Sequence, residues 1–243
     1  MRTQIWSSGG GVQSSAIAAL ICQGQLNPDL SIIVDTEREC STTWDYLDKW
    51  VQPALKEEGH TLHRVKKSDY ATVDLYSSKG DILIPAYTRE SGELGKMPTF
   101  CSNEWKQRVM HRWADAQGVK QATVWMGMTI DELQRVKITT GRWEKRYPLV
   151  ELRMTRGDCI ALVDDMGWPE PPKSTCWMCP NKLPSHWEEM KGTTDWHRAV
   201  KFEEEMQAKD PDLYLHRQGV NLQDIEEDTD QYDMFCDSGM CFV

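Results

Sequence analysis

A glycine-rich segment near the start of the chain has the residue types that bind phosphate. It joins a short apolar run to a helix and reads Ile5-Trp6-Ser7-Ser8-Gly9-Gly10-Gly11-Val12-Gln13-Ser14-Ser15. Consecutive glycines allow positive φ angles and the close approach of a ligand, and the N–H groups and dipole of a helix start attract anions. The candidate phosphate ligands are Ser8, Gly9, Gly10, Gly11, Gln13, Ser14 and Ser15.

This glycine segment differs from the two commonest phosphate-binding loops. It lacks the Gly-Lys-Ser/Thr ending of a Walker loop and the Gly-x-Gly-x-x-Gly spacing of dinucleotide-binding proteins. The alternative interpretation is a strand-to-helix turn that binds nothing. We favour a phosphorylated ligand, because the glycines lie directly before an apolar helix that begins at about Val12.

Cysteines carry the second chemical signal of the sequence. The chain has eight, and without secretion features they favour thiol, metal or redox chemistry over a disulfide scaffold. Cys176 and Cys179 form a C-x2-C pair, whose two thiolates can bind one metal ion or two corners of a cluster. Cys101 lies at a predicted helix start, where the dipole favours a thiolate.

The order of elements predicts an α/β fold with a doubly wound parallel five-stranded sheet. Apolar runs at residues 29–36, 61–65 and 121–127 are typical of strands, and 41–59 and 103–118 of helices, with a polar insertion between about 70 and 98. A Pro-rich break at 169–172 separates the parts that we expect as domains, a nucleotide-binding domain over 1–165 and a helical, cysteine-bearing region over 166–243.

Composition indicates a cytoplasmic enzyme. The formal net charge is −10 and no apolar stretch of about 18 residues or a signal peptide is visible, so we expect no membrane association. Such a charge argues against coating nucleic acid in bulk, but a basic face with aromatic platforms would hold a nucleotide or a nucleic-acid strand. The alternative is solvated helix faces with core tryptophans. The residues concerned are Lys106, Arg108, His111, Arg112, Arg135, Lys137, Arg142, Lys145 and Arg146, with Trp105, Trp113 and Trp143.

The glycine segment resembles the S-G-G-x-D-S pyrophosphate loop of the adenine nucleotide alpha-hydrolase superfamily. That superfamily, also called the PP-loop ATP pyrophosphatases, includes phosphoadenylylsulfate (PAPS) reductases and nucleic-acid thiolases. Aligned on Ser14, the motif has Gly9 in place of the first Ser and Gln13 in place of the Asp. The resemblance implies ATP or PAPS as ligand. Mg²⁺ is a less secure partner, since an amide lacks the carboxylate charge that favours a metal ion.

Further stretches resemble elements of the same proteins. Val34-Asp35-Thr36-Glu37 is similar to the D-T-G segment that borders the adenosine pocket, with Glu37 in place of Gly. The segment from Gly127 to Arg135 is similar to an element whose final arginine faces phosphate or sulfate. Tyr147-Pro148-Leu149 resembles a run in phage and bacterial PAPS-reductase-like proteins. The resemblance thus implies Asp35, Thr36, Gly127 and Arg135 as nucleotide-binding residues, whereas a surface Arg135 paired with Asp131 is the alternative.

The resemblance also suggests a metal centre. Related reductases hold a [4Fe–4S] cluster with a C-C pair near Cys101 and a later C-x2-C pair, so Cys101, Cys176 and Cys179 are the implied ligands. Candidates for the fourth ligand are Cys159, Cys236 and Cys241, of which we choose Cys241, or no protein ligand at all. Zinc and unmetallated cysteines are the competing interpretations.

The function that the resemblance favours is ATP pyrophosphatase and sulfurtransferase activity. Arg135 and Lys106 would neutralise charge as pyrophosphate leaves, Cys101 would serve the sulfur chemistry, and a cysteine desulfurase or thiol reductant would be a partner. The acceptor is a nucleic acid or a small molecule, and an oligomer is compatible with the sequence. The alternatives are a PAPS or adenylylsulfate reductase and a non-catalytic nucleotide-binding module with a structural metal.

Overall fold

The computed structural model describes residues 1–90 and 92–225 of the chain. These residues divide into two compact units. The first comprises Met1–Tyr70 and Lys106–Ser174, and the second comprises Ala71–Trp105 and the described part of the chain from Thr175 onward. Each unit is built from two separate pieces of sequence.

Eight strands and eight helices are defined in the described residues. The strands are β1 (Thr3–Ser8), β2 (Leu30–Asp35), β3 (Leu62–Lys66), β4 (Tyr87–Thr88), β5 (Gly95–Lys96), β6 (Ala122–Met126), β7 (Trp143–Arg146) and β8 (Leu213–Tyr214). The helices are α1 (Val12–Cys22), α2 (Ser41–Tyr46), α3 (Gln52–Glu57), α4 (Arg108–Ala116), α5 (Pro148–Glu151), α6 (Arg156–Asp165), α7 (Pro184–Met190) and α8 (Thr194–Gln207).

The first unit contains a five-stranded parallel sheet in the order β3-β2-β1-β6-β7. The predicted α/β fold with a five-stranded parallel sheet is therefore confirmed. Its central strand β1 buries Ile5 and Trp6 completely, as expected for a strand covered on both faces. Helix α1 is buried along residues 14–21 and packs against α6, because a helix that is apolar all round belongs in a core.

The predicted helix over 41–59 is present but is not uniform. It runs as α2, a π-helical turn over Leu47–Val51 and then α3. Pro53 lies at the start of α3 and lacks the N–H that would continue the regular bonding pattern, so a widened turn precedes it. A second π-helical turn, Ser102–Gln107, comes directly before α4. The helix predicted over 103–118 thus begins with irregular backbone.

The second unit has a separate core and a small antiparallel sheet in the order β5-β4-β8. We expected a division at residue 165 and a polar insertion over 70–98, and the structure differs on both points. The run Ile82-Leu83-Ile84 is buried and packs with Trp187 and Leu215, which brings residues 71–105 into the same unit as the later part of the chain. Burial of these apolar side chains is the physical reason for the difference. No helix among the described residues is both long and apolar enough to cross a membrane.

Candidate functional site

The glycine segment lies where a parallel sheet ordinarily binds its ligand. Chain order runs outward from β1 through β2 to β3 on one side of the sheet and continues with β6 and β7 on the other. The strand order therefore reverses at β1, and such reversal points place a crevice at the carboxyl ends of the strands. Residues 9–11 follow β1 directly and lead into α1.

Hydrogen bonds within this loop fix its shape. The Gly9 N–H donates to Ser14 Oγ over 2.7 Å, and the Gly10 N–H donates to Ser8 Oγ over 3.3 Å. Ser15 Oγ donates to the Gly11 carbonyl over 3.2 Å. The three predicted hydroxyls thus shape the loop from the first strand to the first turn of α1.

Gly10 is the position in the loop where only glycine fits. Its φ is +81°, and a Cβ there would lie 2.9 Å from Thr43 Cγ2 and 3.2 Å from Ser174 Oγ. Gly9 and Gly11 have no positive φ, and their nearest Cβ contacts, at 3.5 and 3.8 Å, are ordinary. The backbone at Gly10 is therefore pressed against α2 and the segment that contains Ser174.

A cleft of about 330 Å³, partly open to solvent, adjoins the loop. Its lining combines the loop backbone, an apolar wall and two charged side chains. The lining residues are Ser7, Ser8, Gly9, Ile33, Val34, Glu39, Trp44 and Lys106. Of the sequence-predicted site residues, the structure places Ser8, Gly9 and Lys106 on this lining.

Glu39 and Ser174 are site residues that sequence reasoning missed. Glu39 is buried, accepts hydrogen bonds from Ser174 Oγ over 2.8 Å and Thr43 Oγ1 over 3.3 Å, and lies 4.0 Å from Lys106 Nζ. Ser174 Oγ is also within hydrogen-bond distance of the Gly9 carbonyl. The position of Glu39 just after β2 is a signal that could have found it, but Ser174, far along the chain, carries no such signal.

Asp35 at the end of β2 is occupied by the protein itself. Its Oδ2 accepts from Arg64 Nε over 2.9 Å and lies 2.8 Å from Arg64 Nη2, and its Oδ1 accepts from the Glu37 N–H over 2.7 Å. Glu37 has φ +60°, the conformation that explains glycine at the matching position of the D-T-G segment. Thr36 is fully buried. Asp35 therefore holds Arg64 and the turn after β2.

Arg135 is linked to the loop through a chain of side chains. It forms an ion pair with Glu132, and Gln13 Nε2 donates to the other oxygen of that carboxylate over 3.2 Å. The alternative pairing with Asp131 is not seen, because Asp131 accepts from the Arg156 N–H. Gln13, the residue in place of the usual Asp, is thus bound to a carboxylate.

Gly127 brings the end of β6 against the same helix start. A Cβ at Gly127 would lie 3.4 Å from Gln13 Cβ and 3.5 Å from the Ser14 nitrogen. The absence of a side chain lets this backbone lie close to the first turn of α1. The structure therefore places Gly127, Gln13 and Ser14 together.

The implied cysteine ligands do not form a metal centre in the part of the chain that is described. Cys101, Cys176 and Cys179 belong to the second unit and are half-buried, and the Cys179 N–H donates to the Cys176 carbonyl over 3.0 Å. Among residues 1–90 and 92–225, no three or more His, Cys, Asp or Glu side chains are grouped to hold a metal ion. Cys236 and the predicted ligand Cys241 lie outside the described residues.

Cys159 is not available as a fourth ligand. It lies on α6 in the core of the first unit and is fully shielded from solvent. Burial raises the pKa of its thiol to about 12. A metal ligand has to be a thiolate, so Cys159 is a core residue.

The basic and aromatic residues of the first unit are largely engaged with one another. His111 stacks on Trp143 with ring centroids 4.3 Å apart, and Arg142 lies over the same indole. Arg142 pairs with Asp115, and Arg146 pairs with Glu151. Burial lowers the pKa of His111, which disfavours its charged form. These contacts are those of a packed surface.

Comparison with solved structures finds proteins of the kinds that the sequence motifs resemble. The crystal structure of a PAPS reductase from Candida auris, in complex with phosphate, is 19% identical with a TM-score of 0.45, over 69% of this chain and 75% of that one. The U34-tRNA thiolase NcsA from Methanococcus maripaludis, with its [4Fe-4S] cluster, is 13% identical with a TM-score of 0.46, over 93% of this chain and 73% of that one. No protein-family model matches the sequence, and no curated protein matches it.

Replacing Gly10 tests the close packing of the loop. We expect Gly10→Ala to lower the free energy of unfolding by roughly 2–5 kcal/mol, since backbone strain and an overpacked contact add. Gly24→Ala is the matched control, because Gly24 also has a positive φ of 70° but nothing within 4 Å of its Cβ position. Its cost should be about 1–2 kcal/mol. Urea unfolding of both variants measures the difference, and equal losses would contradict the packing.

Thiol labelling tests the assignment of Cys159 to the core. In native protein at mildly alkaline pH, iodoacetamide should modify Cys176 and Cys179 while Cys159 stays unmodified, because its raised pKa and burial both suppress the thiolate. Mass spectrometry of peptides after timed labelling reads the result. In denaturant all three should react. Labelling of native Cys159 as fast as Cys176 would show that its environment is open.

Proposed function

We propose that this chain binds ATP at residues 8–15 and the adjoining cleft, and cleaves it between the α- and β-phosphates to adenylylate an acceptor for sulfur transfer. The observation that carries the proposal is the position of the glycine loop. It opens a buried helix at the point where the strand order reverses, beside a cleft with a cationic side chain.

Phosphate binding would rest first on the backbone of the loop. The N–H groups at the start of α1 and the helix dipole favour an anion next to Gly11. Lys106 lies on the cleft lining, 4.0 Å from Glu39, and supplies a positive charge beside the loop. A lysine there would stabilise the negative charge that develops on departing pyrophosphate.

The proposed reaction proceeds in two displacements. An acceptor oxygen attacks the α-phosphorus, the bond to the bridging oxygen breaks, and pyrophosphate leaves with the electron pair. A sulfur nucleophile, supplied by a partner cysteine desulfurase, then displaces AMP from the activated acceptor. A nucleic acid is the acceptor that the motif resemblance favours. We derive no step through an iron–sulfur cluster, because the described cysteines do not assemble a site for one.

Glu39 is the residue of the cleft lining that fits a magnesium ion bound to ATP. Mg²⁺ takes one or two carboxylates together with phosphate oxygens, and Glu39 is the carboxylate among the eight lining residues. The ion would neutralise phosphate charge when bound. Glu39 would thereby provide the charge that Gln13 lacks.

Sulfonucleotide reduction, the second interpretation, requires a thiol next to the nucleotide. None of the eight described lining residues is a cysteine. This composition favours ATP activation over attack by a thiol on a sulfonate, while the tail with Cys236 and Cys241 lies outside the described residues. A non-catalytic nucleotide-binding module is the third interpretation, and it predicts binding without turnover.

Product analysis with Lys106 variants tests the proposed function. Incubated with ATP, Mg²⁺ and bulk tRNA as acceptor, the protein should release AMP and pyrophosphate, and Lys106→Met should reduce the rate by about 10²-fold through loss of charge stabilisation. Lys120→Met, at an exposed lysine outside the cleft lining, is the control and should keep the full rate.

Three other product patterns would contradict the proposal. Formation of ADP and phosphate would place cleavage at the wrong bond. Release of sulfite from PAPS, with ATP left intact, would identify a reductase. ATP binding with no product would identify a binding module.

A further inference from the structure

We propose that Trp44 is the surface on which the nucleotide base stacks, and that Arg64 and Asp35 are positioning residues that hold this indole in place. The inference deepens the proposed function and rests on it. It assigns the part of the cleft that recognises the base, whereas the glycine loop accounts for the phosphates.

Trp44 lies on the cleft lining in a setting suited to a flat, apolar ligand. The same lining contains Ile33 and Val34 from the end of β2, with the loop backbone on the other side. A base stacked on an aromatic ring gains affinity without needing a particular hydrogen-bond pattern. The cleft thus has an aromatic and aliphatic part beside a part that binds anions.

Arg64 covers one face of the Trp44 indole. Its guanidinium carbon lies 3.5 Å from the ring centroid, well within the range of a cation–π contact. With this face covered, the ring has only its remaining surface for the cleft. A guanidinium also draws electron density from the indole, which favours stacking with an electron-rich purine on the remaining surface.

Asp35 fixes the guanidinium in that position. Arg64 lies opposite Ile33 in the pairing of β2 with β3, so Asp35, two residues further along β2, is on the same face of the sheet. Its carboxylate is buried and binds both Arg64 Nε and Nη2. An arginine held by two bonds and a tryptophan held by that arginine are organised before any ligand arrives, which lowers the entropy lost on binding.

Trp50 provides a matched control on the neighbouring turn. It is also half-buried, it packs against the same core, and it has a cation over its ring, Lys49 Nζ at 4.8 Å from the centroid. Trp50 is not among the residues that line the cleft. A change at Trp50 therefore reproduces the loss of an indole and its cation contact without touching the proposed base site.

The test compares a ligand that has a base with one that lacks it. Isothermal titration calorimetry on the full chain would use α,β-methylene-ATP, which cannot be cleaved between the α- and β-phosphates, and inorganic tripolyphosphate. We expect Trp44→Leu to weaken the nucleotide analogue by about tenfold or more, Trp44→Phe to retain most of the affinity, and Trp50→Leu to leave it unchanged. Tripolyphosphate affinity should stay the same in all three variants, which also shows that the loop is folded.

Arg64 variants test the positioning role with the same two probes. Arg64→Met combined with Asp35→Asn removes the cation without leaving a buried charge, and should weaken the analogue but not tripolyphosphate. Arg64→Lys, which keeps a cation next to the ring, should recover part of the loss. Wild-type affinity for the analogue in the double variant would overturn the positioning role.

The outcomes separate the inference from the proposed function. Unchanged analogue affinity in Trp44→Leu would overturn the base site while the proposed function stands. Equal weakening of both probes would also overturn it, since Trp44 would then act through the loop. Failure of the wild-type protein to bind either probe would overturn the proposed function together with this inference.

Discussion

The close approach of backbone to neighbouring atoms at Gly10 is the constraint on which the site depends. A positive φ turns the chain from β1 into α1, and the absence of a Cβ lets Thr43, Ile33 and Ser174 pack against the turn. These contacts bring together the end of β1, the end of β2, the start of α2 and the segment that precedes the C-x2-C pair. Any side chain at Gly10 would push these pieces apart, and the cleft that they border would change shape.

Charge around the site is arranged in pairs. Lys106 lies beside Glu39, Arg135 beside Glu132, and Arg64 beside Asp35. A triphosphate would compete with each nearby carboxylate for its cation, so these side chains alone do not create an excess of positive charge. The backbone N–H groups and dipole of α1 therefore have to supply much of the attraction for phosphate. This balance also fits the acidic composition of a chain with formal net charge −10.

Local patterns in the sequence were sufficient for the glycine loop, for α1 and for the parallel sheet. Each depends on residues close together in sequence, such as the glycines followed by an unbroken apolar helix. The π-helical turn before Pro53 was also within reach, because proline in a helix interior requires an irregularity. The prediction of a polar insertion over 70–98 was wrong for Ile82-Leu83-Ile84, since a short apolar run amid polar residues has no readable period.

Long-range contacts account for what the sequence did not reveal at the site. Ser174 reaches the Gly9 carbonyl and Glu39 from a distant part of the chain, and no spacing rule predicts such a contact. Arg135 was expected to face phosphate, but the identity of its partner Glu132, and the link to Gln13, depend on how the turn after β6 folds. Asp35 was expected to bind the nucleotide and instead holds Arg64, because β3 lies next to β2.

A crystal structure of the protein with α,β-methylene-ATP is the measurement that tests the central claim most directly. The account predicts phosphate oxygens within hydrogen-bond distance of backbone N–H groups in residues 9–15, with the rest of the nucleotide in the cleft that Lys106 and Glu39 line. A nucleotide bound elsewhere on the chain, with the glycine loop making no contact to it, would contradict the account.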